Sequence, residues 1–105
     1  MGCLQSERNL IESAVEEILR YHAPIQINNR RALVDTELSG MLIPAGAIAH
    51  LMIAGANRAP AKFPDPNTFD IARRPNRHLS FGLGIHVCIG NTLARIEGRI
   101  AFAKF

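Results

Sequence analysis

Residues 81–90 read Phe-Gly-Leu-Gly-Ile-His-Val-Cys-Ile-Gly. Cys88 is one of two cysteines in 105 residues, and Gly82, Gly84 and Gly90 surround it. His86 stands two positions before it. The pattern that follows predicts a helix starting near Cys88. A helix start carries unpaired N–H groups and the positive end of the helix dipole, which favour an anion such as a thiolate. Glycines admit a close approach of backbone to a ligand, or backbone angles that other residues avoid. The chemistry offered is a thiolate presented to a bulky partner. The plain alternative is a small buried hydrophobe among Ile85, Val87 and Ile89, a common use of a lone cysteine.

Four partners fit a glycine-flanked cysteine to different degrees. A dinucleotide pyrophosphate wants Gly-x-Gly-x-x-Gly, but Val87 occupies the third glycine position and no βαβ unit surrounds it. A structural zinc wants four ligands in paired short spacings, and only His86 and Cys88 form a pair. A phosphatase-type nucleophile wants His-Cys-x5-Arg; His86 is not adjacent to Cys88, and Arg95 falls one residue late. Heme iron held by one thiolate asks for a single protein ligand on one face.

The pattern Phe81-Gly82-x-Gly84-x-His86-x-Cys88-x-Gly90 resembles the heme-binding loop of cytochrome P450 at every position. The resemblance implies heme b as cofactor, with Cys88 as axial iron ligand, Phe81 packed beside the sulfur and His86 at a heme propionate. It also implies that N–H groups near Gly90 tune the sulfur. Glu17-Ile18-Leu19-Arg20 resembles the family's Glu-x-x-Arg on helix K. Taken alone, that pair is a surface i,i+3 contact worth about 0.2–0.5 kcal/mol; in the family it is a buried structural network. Residues 25–46 resemble the β-hairpin that follows, with Arg30 as a second propionate contact. Period two puts its neighbour Arg31 on the opposite face. Residues 55–70 resemble the entry to the meander. Residues 77–82, Arg-His-Leu-Ser-Phe-Gly, resemble the bacterial soluble form, which places His78 near a propionate as well. For Arg30 and His78 the plain alternative is solvation.

Two positions depart from the family pattern. Ala59 follows Asn57-Arg58 where the family has aspartate. Thr68 stands where the family has the arginine that completes the network with Glu17 and Arg20. Arg58, Arg73 and Arg74 are the candidates to replace it.

The elements that position these residues are legible from periodicity. A helix is predicted over about Asn9–His22, with Asn9 and Glu12 as a capping box and Leu10, Ile11, Ala14, Val15, Ile18 and Leu19 as its apolar stripe. Pro24 ends it. Strands are predicted over Ile25–Leu33 and Glu37–Ile43, and a third over Ala47–Ile53 that passes into a short helix by Ala56. Residues 58–80 have no period and four prolines. In the final helix Ile89, Leu93, Ile96, Ile100 and Ala103 form the stripe. The expected fold class is α+β, the C-terminal portion of the mostly helical cytochrome P450 fold: helix K, β-hairpin, meander, cysteine loop and the start of helix L. Residues 1–105 are then a partial domain.

Composition narrows the function. A net charge of +3 with no dense basic run and a single tyrosine gives no nucleic-acid footprint. Cys3 and Cys88 make no disulfide framework, no leader precedes Gln5, and no apolar run reaches membrane length, so a reduced, cytoplasmic setting is expected. The resemblance implies a monooxygenase that takes electrons from a ferredoxin- or flavin-type donor and oxidises a small organic substrate with O2. Arg73, Arg74, Arg77, Arg95 and Arg99 would steer an acidic donor to the proximal face, with a solvated surface as the alternative. The resemblance does not reach the distal helix with its acid–threonine pair. No catalytic residue beyond the heme ligand is expected, and only residues 25–28 approach the substrate. The rival expectation is a non-catalytic remnant that binds heme weakly or not at all. A zinc or redox module using the cysteine is the third reading.

Overall fold

The structure is a computed structural model that describes residues 8–104; Cys3 and the reading of the N-terminus lie outside the described residues. Helix α1 spans Ile11–Tyr21 after a 3-10 turn at Arg8–Leu10. The turn moves the helix start two residues on, so the expected capping box at Asn9 does not form, and Leu10 precedes the first turn without a side-chain cap. Glu12 instead pairs with Arg99 at 2.7 Å. Ile11, Ala14 and Val15 are buried, at the i, i+3, i+4 spacing of one helix face.

Strand β1, Ile27–Arg31, pairs antiparallel with β4, Ile48–Met52, in a register that sets Arg30 opposite Ala49. Between them β2, Thr36–Leu38, and β3, Met41–Ile43, form a tighter hairpin. The single strand expected over Glu37–Ile43 is therefore two. Ser39 and Gly40 break it, with φ of 52° and 79°, the mirror-image turn that matches strand twist. Strand β4 runs directly into the short helix α2, Ile53–Ala56. Helix α3 spans Asn91–Ala103, three residues later than Cys88. Cys88 lies in the turn before it, its carbonyl accepting from Asn91 N at 3.2 Å.

Helices α1 and α3 pack closely at Gly98, where an added Cβ would stand 3.2 Å from Val15 Cγ1. Leu93, Ile96 and Ile100 on α3 remain exposed, as do Ile85 and Ile89 before it. Among the described residues no helix is long and apolar enough to cross a membrane.

The irregular chain from Asn57 to Ser80 is held by buried charge rather than by a ladder. Glu17 and Arg20 are both fully buried and joined by two 2.8 Å hydrogen bonds. Arg20 donates onward to the carbonyls of Asn57 at 3.0 Å, Pro66 at 2.8 Å and Thr68 at 3.0 Å. Glu17 also accepts from Asp70 N at 2.8 Å and Asn76 Nδ2 at 3.0 Å. Arg73 completes the network. Its Nε lies 3.3 Å from the Glu17 carboxylate, and its other nitrogens donate to Pro64, Asp65 and Thr68 carbonyls. Of the three candidate arginines, Arg73 thus compensates for Thr68. Arg58 stacks on Tyr21 instead, 4.1 Å from the ring centroid, and Arg74 borders outer grooves.

Burial alone would raise the Glu17 carboxyl; hydrogen bonds from Arg20, the Asp70 N–H and Arg73, with the charge of Arg20, outweigh it and hold it below its ordinary value. The ionised carboxylate therefore adds stability above the unfolded value near 4.5, and that stability is lost as pH falls through the lower folded value. Glu17→Gln leaves Arg20 buried without its counter-ion and should lower stability by about 3–5 kcal/mol at neutral pH. It should also shallow the acid loss. Urea midpoints from neutral to acid pH check both effects, and a variant that tracks the parent throughout would contradict this role.

Candidate cofactor site at the cysteine loop

The cysteine loop closes on itself through its backbone. Cys88 N donates to Phe81 O at 2.7 Å, and Gly82 N to Leu79 O at 2.8 Å. A 3-10 turn at Gly84–His86 fills the space between. Gly82 is required twice over: its φ is +75°, and a Cβ there would lie 2.8 Å from the His86 carbonyl oxygen. Gly84 needs its freedom only for a φ of +63°, with open space around it. Gly90 has an ordinary φ of −84°. A Cβ on Gly90 would rest 3.9 Å from Cys88 Sγ, so glycine leaves room beside the sulfur.

The thiol of Cys88 is free and exposed. It borders a cavity of about 450 Å³ with Phe81 and His86 from the loop and Ile25, Arg30 and Leu51 from the β1–β4 side. Most of its lining is apolar, and Asn28, Arg30 and His86 bring nitrogen-bearing side chains to it. Arg30 is steadied from its own strand, its Nη1 donating to Asn28 Oδ1 at 3.2 Å and Asn29 O at 2.8 Å. No three His, Cys, Asp or Glu side chains converge among the described residues, so the donor set suits a group that takes one thiolate and brings its remaining ligands with it. Heme fits that description, and Arg30 and His86 have the N–H donors that its carboxylates need.

His78 is placed elsewhere than expected. Its side chain is 2 % exposed and does not border the cavity; Nε2 lies 3.0 Å from Glu16 Oε2, and Nδ1 accepts from Ser80 N at 3.2 Å. Burial pushes its pKa below the ordinary value, with Glu16 opposing and Arg95 adding to the shift. The same carboxylate takes Arg95, Nε to Oε1 at 2.7 Å and Nη2 to Oε2 at 3.1 Å. Burial would raise Glu16, but Arg95 and His78 together hold it below its ordinary value. The expected basic patch is accordingly mixed. Arg73 is internal, Arg95 and Arg99 are paired with Glu16 and Glu12, and a groove of about 300 Å³ between them carries both signs.

Asn57 was not singled out by its sequence context, yet it is fully buried and fastens the approach to the loop. Its Oδ1 accepts from Leu79 N at 2.7 Å and its Nδ2 donates to Ser80 Oγ at 2.9 Å, while Ser80 Oγ donates to Leu19 O at 2.6 Å. Glu16 was missed as well. A signal existed: Glu12 and Glu16 are four apart, as are Arg95 and Arg99, the spacing that aligns charges on one helix face.

The two strained glycines separate conformation from contact. Gly84→Ala should cost about 1–2 kcal/mol for the left-handed backbone alone. Gly82→Ala adds a backbone collision and should cost clearly more, read as a lower urea midpoint. Equal losses in the two variants would show that the loop does not close on His86.

Comparison with known proteins agrees with this geometry. A family model described as Cytochrome P450 matches residues 4–105. The chain is 48% identical over 98 residues to the biotin biosynthesis cytochrome P450 of Bacillus subtilis, covering 93% of this chain and 25% of that protein. It is 46% identical over 102 residues to the cytochrome P450 monooxygenase PikC of Streptomyces venezuelae, covering 96% of this chain and 24% of that one. The crystal structure of P450BioI in complex with hexadec-9Z-enoic acid ligated acyl carrier protein superposes with a TM-score of 0.93 at 46% identity, over 96% of this chain and 26% of that one. The chain thus spans about a quarter of the length of the relatives it matches. With a matching family model, close relatives and a shared fold over nearly all of its residues, the chain belongs to the cytochrome P450 family.

Proposed function

We propose that this chain is the heme-thiolate segment of a monooxygenase acting on a small organic substrate. The observation that carries the reading is the exposed thiol of Cys88 on a cavity edged by Arg30 and His86. In this reading Cys88 Sγ would hold the iron, Arg30 and His86 would hold the propionates, and Phe81 would pack beside the sulfur. Gly82, Gly84 and Gly90 give the loop its shape and leave room at the sulfur. Heme supplies the oxygen chemistry, and a thiolate ligand favours O–O cleavage by donating electron density. The protein's part is to keep the sulfur fixed and its loop closed while the β1–β4 side walls the cavity. Ile25 and Asn28 border the same space and are the residues of this segment nearest a substrate. A ferredoxin- or flavin-type donor with an acidic surface would approach the face where Arg74, Arg77 and Arg99 lie, against a field weakened by Glu12 and Glu16. A reducing, cytoplasmic setting suits the free thiol.

A second reading keeps the site but not the reaction: a segment that binds heme weakly and catalyses nothing. An absorption spectrum with added heme, reduced under CO, separates the two. Thiolate ligation gives a strongly red-shifted Soret band that Cys88→Ala abolishes. Arg30→Ala and His86→Ala should keep the band position and weaken heme affinity by roughly tenfold each, the scale of a lost charge-assisted contact. A band that persists in Cys88→Ala would overturn the ligand assignment, and no band in the parent would leave the second reading.

A further inference from the structure

Arg95 sits where three elements meet, and its contacts converge on Cys88 from two sides. Its guanidinium lies over the Phe81 ring, 4.6 Å from the centroid, an arrangement in which a cation is attracted to the ring face. Phe81 is the residue whose carbonyl accepts the Cys88 N–H at 2.7 Å. On the other side, Arg95 Nη1 donates to Asn91 Oδ1 at 2.8 Å, and Asn91 Nδ2 donates to Cys88 O at 2.6 Å. Both backbone polar groups of Cys88 are thus held by residues that Arg95 holds. Arg95 is itself fixed by Glu16 on α1 through two hydrogen bonds, and His78 occupies the same carboxylate from the loop side. The His78 and Phe81 rings are tilted neighbours, 6.0 Å apart.

The geometry points to Arg95, locked by Glu16, as the positioning residue of Cys88. Fork geometry is what the role uses: a guanidinium can stack on a ring while its edges bond a carboxylate and an amide, and an ammonium cannot do all three. Arg99 supplies the contrast. It makes the neighbouring α1–α3 ion pair, to Glu12 at 2.7 Å, and among the described residues its hydrogen-bond and ion-pair contacts do not lead to Phe81 or Asn91. Arg95 therefore does more than join two helices. The inference takes its meaning from the reading of Cys88 as iron ligand, but it concerns the protein's own backbone and is tested without heme, so either can fail alone.

The test is amide hydrogen exchange on the full chain, parent against variants, read at Cys88 with the α1 amides as an internal measure of folding. Arg95→Ala should speed exchange of the Cys88 amide roughly fivefold to thirtyfold relative to the α1 amides. Glu16→Gln should act in the same direction by less, and Arg95→Lys, which keeps the charge but not the fork, should fall between parent and Arg95→Ala. Arg99→Ala should leave the Cys88 amide at the parent rate. If Arg95→Ala loses the α1 protection, Arg95→Lys and Glu16→Gln decide by the same comparison. Three results would overturn the proposal: Arg99→Ala loosening Cys88 as much as the Arg95 variants, Arg95 variants that leave Cys88 unchanged, or a parent whose Cys88 amide exchanges at the unfolded rate.

Discussion

A carboxylate and a guanidinium sit at the centre of this chain with no solvent access, and neither is tolerable there without the other. Glu17 and Arg20 satisfy each other through two hydrogen bonds, and their remaining capacity is turned outward to backbone. Arg20 gathers three carbonyls from a stretch that has no helix or strand, and Glu17 gathers an amide N–H and two side chains from the same stretch. The irregular segment is thereby folded around a charge pair as other segments fold around an apolar stripe. Its far end is the cysteine loop, reached through Asn57 and Ser80, so the placement of the sulfur depends on the ion pair through a continuous series of short bonds.

The loop is thus held on two flanks by different means. Toward the ion pair, Asn57 pins Leu79 and Ser80 before the loop begins. Toward α3, Arg95 and Asn91 act on Cys88 itself. Between these flanks the loop's own backbone closes across Gly82, where no side chain fits. The Cys88 thiol is exposed and is not fixed by burial. Here its backbone is fixed instead, and the sulfur is left open to the cavity.

Much of this was legible in the sequence, and most of the parts that were not share a cause. The helix over Ile11–Tyr21, the strand running into Ala56, the cysteine loop and its family resemblance all rest on local pattern, which a sequence displays directly. The capping box at Asn9 and Glu12 was misleading because a 3-10 turn at Arg8–Leu10 moves the helix start to Ile11, and Glu12 pairs with Arg99 instead. The strand over Glu37–Ile43 contains a turn at Ser39-Gly40, a dipeptide that marks turns but lies here between two apolar runs. For His78 the resemblance of residues 77–82 implies a propionate contact, whereas the structure buries it against Glu16. Arg73 stood among three equivalent arginines until the fold brought one of them to Glu17. What escaped at Glu12, His78 and Arg73 is a contact between distant segments, which leaves no local periodicity, whereas the turn at Ser39 and Gly40 is local.

Thr68 illustrates how a motif can change while the interaction it denotes survives. The network meets this position only through its carbonyl oxygen, which accepts from Arg20 and Arg73 at 3.0 and 3.1 Å. Every residue type has that oxygen. The identity of the side chain here is therefore free to drift among descendants of one ancestor, provided the chain keeps its path and some guanidinium reaches Glu17. A signature that demands arginine at this place would reject sequences whose charge network is intact, so kinship among such proteins is better judged by the path of the backbone than by the letter at that site.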